Sequence, residues 1–285
     1  MIWTIKEKNW LRKNYPHKGA KYCSQKLNRP LTSIQRMCSR LKLKVTDARK
    51  SEVQSTSATQ GWNDKRYSTL NVDHHFFEKQ SYESLYLLGF LWADGYLYRK
   101  QNRISLEIVE RDMVEIENLF CGSGKWHSWT RKRKKRKPQK GFCCNNKKLF
   151  QFLEGKNYDK KSVCSPDLRW IDPNKKFMWW RGYFDGDGSI YLNEDRYLYQ
   201  VSLAGSYKQD WYFVENLAVQ RNFKYQIQRR KTPKGSSSVI RINGKINCMM
   251  FLNFIYQKPL HIGLKRKQKK WNRLLEIIFE DSNNG

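Results

Sequence analysis

The stretch LLGFLWADG, at residues 87–95, recurs 93 residues later as WRGYFDGDG, at residues 180–188. Each copy ends an apolar or aromatic run of helical length, and each carries two small residues four positions apart. Residues spaced by four lie on one face of a helix, and small side chains allow two helix backbones to approach closely. The pattern predicts two helices packed together through four positions: Gly89, Ala93, Gly182 and Gly186.

Each copy ends in Asp-Gly, and glycine is a common terminator of helices. Asp94 and Asp187 are therefore expected side by side at the paired helix ends. At ~5 Å and an effective dielectric constant of ~20, two carboxylates repel by roughly 3 kcal/mol, and the negative helix ends add to the repulsion. A divalent cation would relieve both effects. A lone Asp-Gly is often only a cap or turn, but the paired context favours a metal site.

The two stretches resemble the motifs of a LAGLIDADG homing endonuclease of the single-chain, two-repeat kind, and the resemblance covers about residues 76–278. The first copy has Trp92 where the sixth letter of the pattern is aspartate, whereas the second keeps Asp185. The eighth letter binds metal in the family. The resemblance therefore implies that Asp94 and Asp187 are catalytic metal ligands.

Phosphodiester hydrolysis needs a metal-activated water and neutralisation of charge at the phosphate. Carbonyls at the helix ends, near Ala93 and Gly186, can assist the carboxylates, and oxygen-only ligation suits Mg²⁺. We expect that Mn²⁺ substitutes for Mg²⁺ and that Ca²⁺ supports binding only. Resemblance to the family's lysine-bearing segment points to Lys267, with Lys265 as the rival, and Lys161 has the equivalent place in the first repeat. Glu107, Glu110 and Ser206 are candidates for positioning water.

The composition indicates a polyanionic partner. Fifty-six Lys and Arg against 26 Asp and Glu give a formal charge of +30, which favours nucleic acid over a membrane because no apolar run approaches ~18 residues. The N-terminus lacks a signal-peptide core, so we expect a reducing, cytoplasmic location. The seven cysteines then read as free thiols, and the five scattered histidines offer no zinc spacing. No protein partner is implied, and a monomer is expected.

The chain divides into four predicted parts. Residues 1–45 resemble a helix-turn-helix or Myb-like DNA-binding module of three short helices, the third capped by Thr32 and presenting Gln35, Arg36 and Arg40. The alternative is a basic bundle that only packs on the main domain. Residues 46–70 are Ser/Thr-rich and read as a flexible linker. Residues 71–172 and 173–285 are the two repeats.

After each motif the same order of elements follows, with alternating strands, a helix, a hairpin and a final helix. We predict an α+β fold of two pseudo-symmetric αββαββα repeats, each an antiparallel sheet with helices on one face. The hairpin tips are expected around residues 131–137 and 229–231.

The free faces of the two sheets are expected to form a saddle for DNA. Arginine suits guanine, and glutamine or asparagine suits adenine, in the major groove. The predicted DNA-binding residues of the repeats are Arg103, Arg131, Arg133, Lys135, Gln200, Gln226, Gln228, Arg230, Arg241 and Asn243. A solvated polar face is the alternative, and the net charge argues against it.

Together these features predict a metal-dependent, site-specific DNA endonuclease that makes a double-strand break in a long target. By resemblance, the cut crosses the minor groove and leaves short 3′ overhangs. Two alternatives stay open: an RNA-binding intron maturase on the same fold, which would not need both aspartates, and a transcription regulator that uses the N-terminal helices.

Overall fold

The computed structural model describes residues 3–49, 71–132, 137–232, 235–257, 259 and 261–283. The chain divides into two compact units, Met1–Thr69 and Leu70–Gly285, here called the N-terminal unit and the core unit. None of the helices in the described ranges is both long and apolar enough to cross a membrane. The predicted linker lies mostly outside the described residues, and the predicted division into four parts stays a prediction.

The N-terminal unit contains helices α1 (Ile5–Leu27) and α2 (Leu31–Arg40). Helix α1 is two helices joined at Gly19, whose φ of 77° only glycine adopts easily, so the described residues up to position 45 contain three helical segments, as predicted. Thr4 and Glu7 form a capping box at the start of α1. Arg29 binds Glu7 at 2.7 Å and lies 4.3 Å from the Trp3 ring centre, and its hydrogen bond holds the pKa of Glu7 down at about 2.

The predicted cap of the third helical segment was wrong. Helix α2 begins at Leu31, directly after Pro30, and Thr32 lies inside it without capping it. Proline presets a backbone angle that suits a helix start, and the sequence pattern did not weigh this. Gln35, Arg36 and Arg40 are exposed on α2 as expected, but no observation assigns this unit to a helix-turn-helix class.

The core unit contains two repeats with the same order of elements, followed by a C-terminal helix. The first repeat contains α3 (His74–Glu78), α4 (Tyr82–Asp94), β1 (Gly95–Tyr98), β2 (Arg103–Val109), α5 (Glu110–Gly122), β3 (His127–Arg131), β4 (Gln139–Asn145) and α6 (Lys147–Gly155). The second contains α7 (Lys176–Asp187), β5 (Gly188–Asn193), β6 (Leu198–Ser206), α8 (Tyr212–Arg221), β7 (Gln226–Thr232), β8 (Gly235–Asn243) and α9 (Lys245–Ile255), and α10 (Lys265–Asn283) ends the chain.

Each repeat builds a four-stranded antiparallel sheet, in the order β1-β2-β4-β3 and β5-β6-β8-β7. Alternate residues along β2 are buried, as a half-buried strand requires. This confirms the predicted α+β fold with two sheets and the antiparallel pairing. One detail was wrong: residues 229–231 lie within strand β7 and pair with β8, so they are not the tip of the hairpin.

The two motif helices, α4 and α7, form the centre of the core unit. Every residue from Ser84 to Trp92 and from Phe177 to Asp185 is buried, which is expected of helices that are covered on all sides. Ser81 caps α4 by accepting a hydrogen bond from the Ser84 amide. Asp172 caps a short 3₁₀ turn, Pro173–Lys175, that leads into α7.

Candidate active site

The motif helices touch through their glycines. A Cβ atom added to Gly89 would lie 1.9 Å from the Trp179 carbonyl oxygen, and one added to Gly182 would lie 2.0 Å from the Tyr86 carbonyl oxygen. One added to Gly186 would lie 2.2 Å from the Cβ of Ala93. No side chain fits into these gaps, so the spacing of small residues sets the distance between the helices.

This close contact brings Asp94 and Asp187 together at the helix ends. The position of a Cβ on Gly186 lies only 3.2 Å from Oδ2 of Asp94. Each carboxyl keeps a side open to solvent, yet the surrounding protein removes part of its hydration and raises its pKa. The neighbouring Asp94 charge contributes further for Asp187, whose pKa rises to about 6.

The raised pKa of Asp187 makes a prediction about stability. Its ordinary pKa is 3.8, so the folded chain holds the proton more tightly than the unfolded chain does. Ionisation therefore costs native stability, which falls as the pH rises from about 4 to about 6 and stays lower above that. Without metal, we expect Asp187→Asn to raise Tm at about pH 7.5 and to leave it unchanged near pH 4.

Thermal unfolding at the two pH values, in the presence of a chelator, checks this. A control with the same chemical change is Asp167→Asn, because the partly buried Asp167 pairs with the exposed Arg169 at the surface. The pKa of Asp167 is lowered by its hydrogen bond to Arg169, so this variant should lose stability above about pH 4. A lower Tm for Asp187→Asn at about pH 7.5 would mean that the carboxylate pair is not strained.

Lys161 binds the end of the first motif helix. Its Nζ donates hydrogen bonds to the carbonyl oxygens of Leu91, at 2.6 Å, and Gly95, at 2.5 Å. Burial lowers the pKa of Lys161 to about 8, against the opposing effect of Asp187 and Asp94. A cation at a helix C-terminus stabilises the negative end of the helix dipole.

Lys267 does the same at the second motif helix. Its Nζ donates to the carbonyl oxygens of Asp185, at 2.8 Å, and Gly188, at 2.6 Å, and also to that of Phe184. Phe184 and Gly188 are the counterparts of Leu91 and Gly95, so the two lysines are related by the internal pseudo-symmetry. Burial lowers the pKa of Lys267 to about 8.

Both lysines thus have a place that the sequence prediction did not describe. Each ammonium group is held by backbone carbonyls at the end of a motif helix and acts on both carboxylates at longer range. The rival, Lys265, begins helix α10, and its backbone amide binds Glu115. The contacts of Lys267 with the end of the second motif helix therefore distinguish it from Lys265.

The aspartates form an oxygen-only donor set that fits a hard divalent cation. Within the described part of the chain, neither carboxylate accepts a hydrogen bond or forms a close ion pair, although both lie in a site that raises their pKa. Ala93 and Gly186 directly precede them, and the lysines bind other carbonyls of the same helix ends. This set would hold Mg²⁺ or Mn²⁺.

The predicted DNA-binding residues of the sheets share the face opposite the core. In the second repeat the strand register aligns Ser202, Arg241 and Gln226 in one row. Side chains on this face are already linked: Arg241 donates to Gln228 at 2.8 Å, and Gln200 donates to Asn243 at 2.8 Å. Arg230 also lies on this face, with its guanidinium 3.4 Å from Gln228.

The open face of the first repeat is less regular. Arg103 contacts the Cys143 thiol at 3.2 Å, and Arg131 lies 3.6 Å from Glu107. Arg133 and Lys135, predicted at the tip of the basic hairpin, lie outside the described residues.

All seven cysteines are free thiols, as predicted.

The three candidates for positioning water lie on three different elements. Glu107 lies on the open face of β2, Glu110 begins helix α5, and Ser206 ends β6.

Sequence reasoning missed the buried polar residues around the second motif helix, above all Arg181, because a charged residue in an apolar run is usually interpreted as an exposed position.

A histidine cluster was also missed. His74, His75 and Glu78 place ligand atoms within 4.8 Å of one another on an exposed part of α3, and His75 contacts Glu78 at 2.8 Å. The expectation that the histidines were scattered did not take Glu78 into account.

Residues 174–256 match the family model described as "LAGLIDADG-like domain". The match begins just before α7 and ends just after α9, so it covers the second repeat with its motif helix. The second repeat is therefore similar to a LAGLIDADG-like domain, and the first repeat has the same order of elements. The resemblance noted in the sequence is confirmed for residues 174–256.

Three solved structures illustrate the similarity. The LAGLIDADG homing endonuclease I-LtrWI bound to target DNA is 12% identical, with 71% of this chain and 92% of that chain covered and a TM-score of 0.44. I-SmaMI bound to an uncleaved DNA target with calcium ions is 10% identical, covering 70% and 92%, with a TM-score of 0.39. Full-length DUF199/WhiA from Thermatoga maritima is 16% identical, covering 74% and 72%, with a TM-score of 0.41. No curated protein matches the sequence.

Proposed function

We propose that the chain is a site-specific DNA endonuclease that makes a divalent-metal-dependent double-strand break in a long target. The observation that carries this proposal is the pair of Asp94 and Asp187. Two carboxylates that accept no hydrogen bond from any described residue are held together at joined helix ends, where their pKa values are raised. A protein that only bound nucleic acid would gain nothing from this destabilising arrangement.

The position of the pair supports cleavage of both strands. The internal pseudo-symmetry places one aspartate and one lysine in each repeat, and a DNA duplex likewise presents two scissile phosphates. A bound Mg²⁺ would supply charge neutralisation and an activated water. Asp94 and Asp187 would hold it, while Lys161 and Lys267 fix the helix ends and offset the carboxylate charge.

The charge and the open faces support double-stranded DNA as the substrate. A net charge of +30 favours phosphate contacts, which position a protein on the duplex without reading its sequence. The linked side chains of Arg241, Gln228, Gln200 and Asn243 provide the donors and acceptors that read base edges in a major groove.

A cleavage assay tests the function. The purified chain, incubated with Mg²⁺ and the DNA that flanks its own gene, should produce one double-strand break at a fixed site, and Mn²⁺ should replace Mg²⁺. With Ca²⁺ we expect binding without efficient cutting, because Ca²⁺ accepts looser geometry and activates water less. Gel shifts and product mapping on the same DNA give both readouts.

Two outcomes would refute the proposal. Equal turnover in Ca²⁺ and Mg²⁺ would contradict the metal mechanism. Tight binding of RNA transcribed from the DNA that flanks the gene, without cleavage of any DNA, would instead support the maturase alternative.

The N-terminal unit is proposed to be a separable DNA-binding module. A tethered module raises affinity through effective concentration without altering the chemistry. Removal of residues 1–60 should therefore leave a nuclease that cuts the same bond but has lower affinity and a shorter footprint on one flank. Cleavage mapping and nuclease protection, on one DNA, compare the two proteins. An unchanged footprint would show that this unit does not contact DNA.

A further inference from the structure

Two buried charged residues of the second motif helix have no part in the site described so far. Arg181 and Asp185 are both 0% exposed. The guanidinium of Arg181 donates to the carbonyl oxygens of Ile255, at 2.7 Å, Pro259, at 2.6 Å, and Ile262, at 3.1 Å, and also to that of Gln257. One side chain thus binds four carbonyl oxygens at the end of helix α9 and in the segment that connects it to helix α10.

Asp185 holds the same segment from the next turn of the helix. Its carboxylate accepts hydrogen bonds from the Tyr256 hydroxyl, at 3.0 Å, and the Leu264 amide, at 2.8 Å. A third bond, at 2.9 Å, comes from the hydroxyl of Tyr86 on the first motif helix. Because both ends of the connecting segment are fixed, the start of α10 is fixed as well.

That segment leads directly to Lys267. The backbone amide of Lys267 donates to the Leu264 carbonyl at 3.0 Å, and Leu264 is the residue that Asp185 binds. The lysine then returns to the same motif helix to bind the carbonyls of Asp185 and Gly188. A continuous series of hydrogen bonds therefore runs from α7 through the connecting segment to Lys267, and from Lys267 back to α7.

The first repeat holds its lysine differently. Its counterparts of Arg181 and Asp185 are Leu88 and Trp92, which carry no charge. The Tyr158 hydroxyl donates to the Leu88 carbonyl at 3.0 Å and accepts from Trp179 at 2.8 Å. The Trp92 ring packs edge-on against Tyr158, and Lys161 lies 5.8 Å from the Trp92 ring centre.

The two tyrosines are equivalent. Tyr158 and Tyr256 each lie eleven residues after the start of their helix, at Lys147 and Lys245. Each hydroxyl reaches its own motif helix, but Tyr158 binds a backbone carbonyl whereas Tyr256 binds a carboxylate. The scaffold that holds each lysine is thus different: it is aromatic in the first repeat, with Trp92 and Tyr158, and ionic in the second, with Arg181 and Asp185.

We propose that Arg181 and Asp185 are positioning residues for Lys267, so that the cuts of the two DNA strands depend on two chemically different buried scaffolds. This inference rests on the proposed endonuclease function. Its consequence is that loosening one scaffold slows the cut of one strand much more than the cut of the other.

The matched substitutions are Tyr256→Phe and Tyr158→Phe, which delete one hydroxyl at equivalent places. On a supercoiled plasmid carrying the cleaved site, each should accumulate nicked circles, and strand-specific end labels should show opposite strands intact in the two variants. We expect the cleavage rate of the slower strand to fall by about tenfold, since small misplacements of groups in a site reduce rates by tenfold or more. Asp185→Asn should give the same bias as Tyr256→Phe, to a larger degree.

Controls separate positioning from general destabilisation. Every variant is assayed well below its own Tm, and Asp167→Asn, a surface carboxylate-to-amide change, should cut both strands at the wild-type rate. Equal slowing of both strands, or no slowing by Tyr256→Phe and Asp185→Asn, would overturn the inference while leaving the endonuclease function intact. A wild-type chain that cuts neither strand would instead refute the proposed function.

Discussion

Asp187→Asn and, separately, Asp94→Asn are expected to abolish double-strand cleavage while leaving DNA affinity nearly unchanged. The amide keeps the shape of the side chain but is a poorer ligand for a hard cation. Since metal stabilisation of the transition state is worth several kcal/mol, we expect a rate loss of at least about a thousandfold. Single-turnover cleavage and a gel shift on the same duplex measure the two effects.

This prediction separates a catalytic role from a structural one. The same Asp187→Asn change is expected to raise Tm in the metal-free chain at neutral pH, because it removes one of two strained carboxylates. A residue whose loss increases stability and removes activity is maintained for function. Full cleavage by either variant would exclude that residue from the site, and lost DNA affinity would point to misfolding.

Gly182→Val is expected to have the largest effect on stability. Any Cβ at this position would meet the backbone of Tyr86 at 2.0 Å, and a main-chain atom cannot move aside as a side chain can. The helices would have to separate through the centre of the core unit, which should cost at least about 3 kcal/mol, the upper range for overpacking. Chemical denaturation of the full chain measures the loss.

The chain contains a matched control for this substitution. Gly155 ends helix α6, and a Cβ added there has no atom within 4 Å. Gly155→Ala should therefore be neutral or slightly stabilising, because it reduces the freedom of the unfolded chain. If Gly182→Val proved as mild as Gly155→Ala, the close helix contact would be wrong.

The sequence was sufficient for the fold because both periodicity and repetition were strong. The two motifs predicted the packing of α4 against α7, and alternating residues predicted strands such as Arg103–Val109. The boundaries were less well predicted. Thr32 was expected to cap a helix that starts before it, and residues 229–231 were expected at a hairpin tip but pair with β8 inside the sheet.

The candidate site was only partly predictable. Asp94 and Asp187 were predicted from the repeated motif, and Lys161 and Lys267 from the resemblance to the family's lysine-bearing segment, but the contacts of all four depend on tertiary structure. No local pattern tells that Lys267 will bury its ammonium group among carbonyls, or that Arg181 will collect four carbonyls from residues 255–262. Such buried polar groups are specified by what surrounds them, and those surroundings come from distant parts of the chain.

The most direct test of the paired-carboxylate site is anomalous diffraction from crystals of the full chain bound to its target DNA and soaked in Mn²⁺. We predict anomalous density at the joined ends of the motif helices, with Mn²⁺ bonded to carboxylate oxygens of both Asp94 and Asp187 and to a DNA phosphate. Mn²⁺ bound only at the exposed cluster of His74, His75 and Glu78, with none at the aspartates, would contradict the account.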